Sequence, residues 1–334
     1  MPPDPPPAAK LLPMLFGRTT TQLVALVARL KIPDLVDGQT PVADLARARD
    51  LHEPTLYRVL RLLAAIGIFE ESPGRLFALT PLGALLRSDA KGSLREFAVF
   101  NGSPWVNGAY GNLEHSLRTG SPAFVGAFGQ DMFAYLAGHP KDAAVFNGAM
   151  TSMSRDGAPA ICDAYDFAGV RSVVDVGGGH GFLLSTILRA HPALRGVLFD
   201  LPAVVDGARA QLAADGVAER CEVVAGDFFR AVPAGADRYL LKFIIHDWDD
   251  ERAIQILRKC RDAMDPDGRV IVAEIVVEPG NVMALLRDVQ MLALTAGRER
   301  ERAEFASLFA AAGLELVRVL PTRSSVSLVE ARRV

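Results

Sequence analysis

A doubly wound α/β sheet preceded by a smaller, mostly helical domain is the fold this sequence predicts, on three observations. From Val173 onward, strand-like and helix-like runs alternate to the C-terminus. The stretch VVDVGGGHG, Val173 to Gly181, joins a β-branched run to three spaced glycines, with a helix starting at once. The chain is also large enough: 334 residues, 50% hydrophobic and 22% charged, suffice for one or two full cores.

The opening MPPDPPPAAK is proline-rich and lacks the continuous apolar core of a signal peptide. Short helices are expected from about Thr20 to Leu86, with a turn at Pro33. The leucines of DLHEPTLYRVLRLLAAIGIFEE then recur at helical spacing, and GRLFALTPLG supplies a strand-like wing, so the region resembles a winged helix. As a DNA reader it would place Thr55 to Ala65 in a groove, with Arg58 and Arg61 outward. Residues 1–100 carry twelve Lys and Arg against ten Asp and Glu, a near balance that argues for packing instead. The face Leu56, Leu60, Leu63, Ile66 then packs within its own domain, and the other apolar helices bury against a twin subunit.

Residues 101–165 read as a helical connector contributing to an acceptor pocket. Phe133, Phe146, Met150 and Met153 there suit either core packing or the lining of an apolar slot. From residue 166 to 334 the sheet strands are expected at Val173–Val176, Gly196–Phe199, Cys221–Val224, Arg238–Phe243, Arg269–Ala273, Leu314–Val319 and Ser325–Glu330. In such sheets a ligand binds beyond the carboxyl ends of the strands.

The net charge of -3 offers no global field for nucleic acid or an anionic membrane, and no stretch is long and apolar enough to span a bilayer. Cys162, Cys221 and Cys260 are scattered without metal spacing, so neither disulfide nor zinc is expected, and a cytoplasmic setting follows.

The chemistry sits after the strands. Glycines at 177, 179 and 181 allow a sharp turn and close approach of a ligand. Phe182 occupies the slot of the last glycine in a dinucleotide fingerprint, which favours a cofactor without phosphates. Asp200, nineteen positions beyond Gly181, either accepts from ribose hydroxyls or caps the turn beside Pro202. In GDFF, Asp227 suits an adenine amino group and Phe228 its ring. LKFIIHDWDD puts Lys242 at a strand end and His246 just past it, while its aspartates also read as an acidic helix start. With an ordinary pKa of about 6.5, such a histidine is largely free near neutral pH to take a proton from a bound hydroxyl. Trp248 adds an apolar wall.

Taken together, VVDVGGGHG, FDLP, GDFF, LKFIIHDW and GRERE, in this order and spacing, resemble the S-adenosylmethionine-dependent O-methyltransferases of the caffeate and hydroxyneurosporene type. The likeness covers nearly the whole chain and implies a Rossmann-like methyltransferase sheet behind a winged-helix dimerisation domain. It implies that Gly177 and Gly179 lie beside the methionine moiety, Asp200 on the ribose, Asp227 and Phe228 on the adenine, and Lys242 over the cofactor site. It makes His246 the catalytic base, fixed by Glu274 and Glu299, although GRERERAEF also reads as a solvated alternating-charge helix start. The residues around Met291 match the family's acceptor-contacting helix, with Gln290 and Leu294 as further neighbours, and Phe133 and Met150 join Met291 as candidate substrate contacts. His180 departs from the small hydroxyl residue common there, and the segment between Glu274 and Asp288 looks short.

The implied reaction moves a methyl group to a hydroxyl of a small aromatic acceptor, without a metal, in a homodimer. The alternatives are methylation of a heteroaromatic nitrogen, a relative that binds the cofactor but hydroxylates or decarboxylates, and a winged-helix transcriptional regulator.

Overall fold

The structure, a computed structural model, describes residues 6–334 apart from the Asp156 side chain; most of the proline-rich opening, residues 1–5, lies outside the described residues. The chain forms two compact units. One comprises the residues up to Asn107 with His139–Met153, the other Gly108–Gly138 with Ser154–Val334. The stretch 101–165 is therefore shared between the units, and Met150 belongs to the first.

In the first unit, the helix Glu53–Ala65 buries Leu56, Leu60 and Leu63, a stripe at helical spacing. Ile66, expected on the same face, caps that helix and is 41% exposed. The wing is the antiparallel set β1 (Thr40–Pro41), β2 (Phe69–Ser72) and β3 (Leu76–Leu79), closed by a turn at Gly74 and Arg75 with positive φ. Phe69 and Phe77 meet edge-on across it, within a core that also takes in Leu45 and Leu60. Phe146 packs edge-on against Phe100, the core alternative for that residue. The helix Pro7–Leu15 leaves Leu11, Leu12, Met14 and Leu15 more than half exposed.

The second unit holds the sheet. In chain order its strands are β4 (Ser172–Val176), β5 (Arg195–Asp200), β6 (Cys221–Ala225), β7 (Arg238–Lys242) and β8 (Arg269–Glu274). A separate parallel pair follows, β9 (Val276–Val277) with β10 (Arg300–Glu301), and β11 (Leu314–Pro321) and β12 (Ser327–Arg333) complete the sheet. Its order is β11-β12-β8-β7-β4-β5-β6, parallel except for β12, which runs antiparallel to both neighbours. Burial on both faces explains the unbroken apolar strands. Val174, Val176, Tyr239, Leu241, Val270 and Val272 enter one core, while Val173, Leu240 and Ile271 enter the other.

The strand order turns back at β4, which pairs with both β5 and β7. A crevice opens at such a switch, beyond the strand ends. Asp175 pairs with Leu240, so two residues further on the register sets Gly177 level with Lys242. Among the described residues no single helix is long and apolar enough to cross a membrane.

Candidate active site

The glycine loop leaves β4 with φ of 71°, 60° and 79° at Gly177, Gly179 and Gly181, a left-handed run that only glycine adopts without strain. A Cβ on Gly177 would lie 2.4 Å from Ile244 Cδ1 and 3.8 Å from the Phe228 ring. The residues after β6 and β7 thus close on the loop. At Gly179, by contrast, a Cβ would meet nothing within 4 Å, so the loop borders open space there.

Asp200 ends β5 under that opening. Its Oδ2 accepts from Gly179 N (2.8 Å) and its Oδ1 from Leu201 N (2.7 Å), so this carboxylate holds the glycine loop as well as the chain beside Pro202. Burial raises its pKa, against the pull of those two amides. Asp227 is more local, its Oδ1 accepting from Phe229 N at 2.9 Å. Lys242 donates to Ser154 Oγ at 3.0 Å. Burial lowers its ammonium to about 8 against the attraction of Asp175, and burial raises Asp175, which has one unpartnered oxygen, to about 7.

His246 lies in the short 3-10 turn Ile245–Asp247 beyond β7 and is 4% exposed. Its Nδ1 is 2.9 Å from Glu299 Oε1. A carboxylate only accepts, so Nδ1 donates and Nε2 is left for chemistry. Nε2 faces Asp247 Oδ1 at 3.8 Å. Glu299 is itself held by its backbone N–H, which donates to Asp288 Oδ1 at 3.0 Å.

Glu274 corrects the expectation that two carboxylates hold the imidazole. Its Oε1 accepts from the His246 backbone N–H at 3.0 Å, and its Oε2 has no hydrogen-bond partner. It fixes the main chain and acts on the ring through charge. The reason is topological: Glu274 ends β8, adjacent to β7, and meets the turn at its start.

The titration of His246 departs from expectation too. Burial alone lowers the imidazole, but Glu299, Asp247 and Glu274 outweigh burial and raise it to about 9. The three carboxylates thus favour the protonated ring, where the sequence suggested a neutral one. Burial raises Asp247 to about 6 and Glu274 to about 7, each opposed by the positive histidine.

Phe243 was given no role by the sequence. It has φ of 54°, a left-handed conformation costly for a bulky residue. Its ring stacks on His246 at 5.2 Å and 17°. Lys242 Nζ is 4.3 Å from that ring and the Arg287 guanidinium 5.5 Å. A strained phenylalanine between cations sets the plane of the imidazole.

Asp247 and Trp248 continue into a cavity of about 610 Å³, which also takes in Phe133, Phe229, Arg252 and Leu294. Phe133 stacks on Trp248 at 5.7 Å and Phe229 meets it edge-on at 4.8 Å. The lining is aromatic, as expected, but Asp131, Asp247, Asp249 and Arg252 make it more polar than the expected apolar slot. Phe229 is a further residue the sequence reading missed, although it adjoins Phe228. Met291 is buried in the helix Val282–Leu294, one turn before Leu294 and outside the cavity lining, and Gln290 is buried beside it. Met150 is half-buried on the helix Pro140–Ala164, in the part up to Met153 that belongs to the first unit.

Comparison with known proteins follows the same division of the chain. The O-methyltransferase domain family matches residues 110–315, and the O-methyltransferase dimerisation domain family residues 13–89. The chain is 44% identical to a phenazine O-methyltransferase of Lysobacter antibioticus, over 98% of this chain and 96% of that one. It is 39% identical to a mitomycin biosynthesis 6-O-methyltransferase of Streptomyces lavendulae, over 96% and 93%. A solved O-methyltransferase of neocarzinostatin biosynthesis, in complex with S-adenosylmethionine and 2-hydroxy-5-methyl naphthoic acid, superposes with a TM-score of 0.82 at 35% identity, covering 94% and 96%. Two further relatives have different chemistry. One is an 8-amino-8-demethylriboflavin N,N-dimethyltransferase of Streptomyces davaonensis (36% identical; 92% and 90%), the other an aclacinomycin 10-hydroxylase of Streptomyces purpurascens (35%; 92% and 84%).

Proposed function

Because the chain belongs to the O-methyltransferase family, with S-adenosylmethionine as its methyl donor, we propose that it methylates a hydroxyl of a small aromatic acceptor, with His246 as general base. One arrangement carries this reading: the imidazole is held through Nδ1 by a buried carboxylate, and Asp247 and Trp248, directly after it, line an aromatic cavity.

The residues present fit the donor. The open space at Gly179 gives a nucleoside room beside the backbone, the Asp200 oxygens keep further lone pairs for ribose hydroxyls, and Phe228 stands near the loop. We assign Gly177, Gly179, Asp200, Asp227, Phe228 and Lys242 to donor binding. Bound there, S-adenosylmethionine supplies an electrophilic methyl group on sulfonium sulfur and leaves as S-adenosylhomocysteine.

The acceptor oxygen must lose its proton as it attacks. A phenol has a pKa of about 10, so a base near 6.5 faces an uphill transfer of about 3.5 units, and one near 9 only about one unit. Glu299 thus lowers the share of neutral imidazole at pH 7 but strengthens the base that remains. General-base assistance accounts for about 10²–10⁴ in rate, and holding oxygen and methyl carbon in line for roughly 7–11 kcal/mol more. Phe133 and Trp248 clamp a planar ring, with Met291 as a further acceptor contact from the helix whose Leu294 lines the cavity. The dimerisation domain and the exposed apolar residues of Pro7–Leu15 support a homodimer.

The direct test supplies isotope-labelled S-adenosylmethionine with a panel of phenols and amines. The proposal expects transfer of label to a phenolic oxygen and a mass gain of one methyl; a product oxidised or decarboxylated without that gain overturns it. Methylation of nitrogen is the second reading, favoured by the riboflavin N,N-dimethyltransferase relative. A neutral amine has its lone pair free, so that reaction survives His246→Ala. Donor binding has its own expected result. Asp200→Asn weakens S-adenosylhomocysteine binding about 10–100-fold by calorimetry, the worth of charge-assisted hydrogen bonds; unchanged affinity removes Asp200 from the site.

A further inference from the structure

We propose that Arg300 and Gly297 are positioning residues for the base: the segment Gly297–Arg300 sets both the main chain of the His246 turn and the carboxylate on its ring. The inference rests on the reading of His246 as base, but concerns residues to which that reading gives no role.

A three-residue 3-10 turn satisfies few of its own carbonyls. Arg300 meets the first of them and the carbonyl just after the turn, its Nη1 donating to Ile245 O (3.0 Å) and its Nη2 to Trp248 O (2.9 Å), so the guanidinium brackets His246 and Asp247. Nε and Nη2 also donate to Asp250 Oδ1, at 3.2 and 2.9 Å, and each nitrogen of a fully buried cation has an acceptor. Such a group is costly to bury and is held only where its fork is matched. Arg298 reaches the other Asp250 oxygen at 2.7 Å.

Gly297 reaches the turn by contact. A Cβ there would lie 1.9 Å from His246 O, 2.4 Å from Asp247 C and 2.5 Å from Trp248 N, all backbone atoms that cannot swing aside. Between these two residues, Glu299 binds the ring. Three of these four consecutive residues, Gly297, Glu299 and Arg300, thus act on one turn, and the segment that holds Glu299 against the ring also holds the carbonyls on either side of it. Alternating charge in GRERERAEF suggested a solvated helix start; Glu299 and Arg300 are instead buried, and the helix begins only at Arg302.

The test uses the full chain with Arg300→Lys, which keeps the charge but loses the fork, and Asp250→Asn, which removes the half-exposed counterion without emptying the core. In Arg300→Lys, kcat is expected to fall about 10–100-fold, as for misplacement of a base by about 1 Å, with acceptor KM and S-adenosylhomocysteine affinity within about 3-fold of the parent. Asp250→Asn moves in the same direction by less. The pH at which kcat/KM levels off also drops below the parent's. A second readout is independent of activity: in protein labelled with ¹⁵N-histidine, the low-field Nδ1 proton of His246, identified by its loss in His246→Ala, is expected to weaken or shift in both variants. If both fold and keep parental kcat, pH profile and proton signal, the proposal is overturned. If His246→Ala is fully active while the signal is still lost in the Arg300 and Asp250 variants, the base reading fails and the positioning role stands.

Discussion

Replacing His246 with alanine is expected to lower kcat for a phenolic acceptor by about 10²–10⁴ while leaving donor affinity nearly unchanged. The loss follows from the pKa of about 10 of a phenol, which at neutral pH offers few oxyanions without a base. Donor affinity is spared because Gly177, Gly179 and Asp200 come from β4, β5 and the loop between them, and the histidine follows β7. Single-turnover rates with saturating donor, beside calorimetry with S-adenosylhomocysteine, separate the two quantities. Turnover equal to the parent on a phenol sinks the assignment.

The second large effect is on pH dependence. A base works only when unprotonated, and Glu299, Asp247 and Glu274 raise His246 to about 9. Below that value the competent fraction falls tenfold per pH unit, so kcat/KM is expected to climb with pH and level off near 9. Glu299→Gln removes the carboxylate on Nδ1 and moves the break toward the ordinary value of about 6.5. The plateau falls as well, on the order of 10²–10⁴, because a neutral amide no longer fixes the tautomer or balances the imidazolium. Break and plateau thus move down together. A variant whose break stays near 9 shows that Glu299 does not set the titration.

The glycine loop and Asp200 were legible in the sequence because local chain carries them. A β-branched run, glycines that must turn and an acidic residue after the next strand are all set within thirty residues, and the crevice rule places them. The base was legible only as an identity. Its protonation depends on Glu299, fifty-three positions away, and no local pattern reports a carboxylate arriving from there. Glu274 was assigned to the ring because sequence gives no direction to a side chain; the strand end puts it on the backbone amide instead. Arg300 was hidden for another reason. Alternating charge is the ordinary mark of a solvated helix, and only the distant carbonyls of Ile245 and Trp248 with the carboxylate of Asp250 make a buried guanidinium tolerable. Phe243 was invisible because a strand-end phenylalanine is unremarkable until its φ is seen. Spacing alone likewise did not separate Met150 from Phe133, which fall in different compact units.

The cavity draws Pro122, Val125, Asp131, Met132 and Phe133 from a stretch that lies ahead of β4, and Phe229, Asp247, Trp248, Arg252 and Leu294 from beyond it. If this cavity takes the acceptor, Asp247 and Trp248 tie the choice of acceptor to the turn that carries His246, while residues 122–133 contribute to the cavity alone. A substitution within 122–133 is then expected to change which aromatic compound is accepted with less effect on the base than a substitution at Trp248.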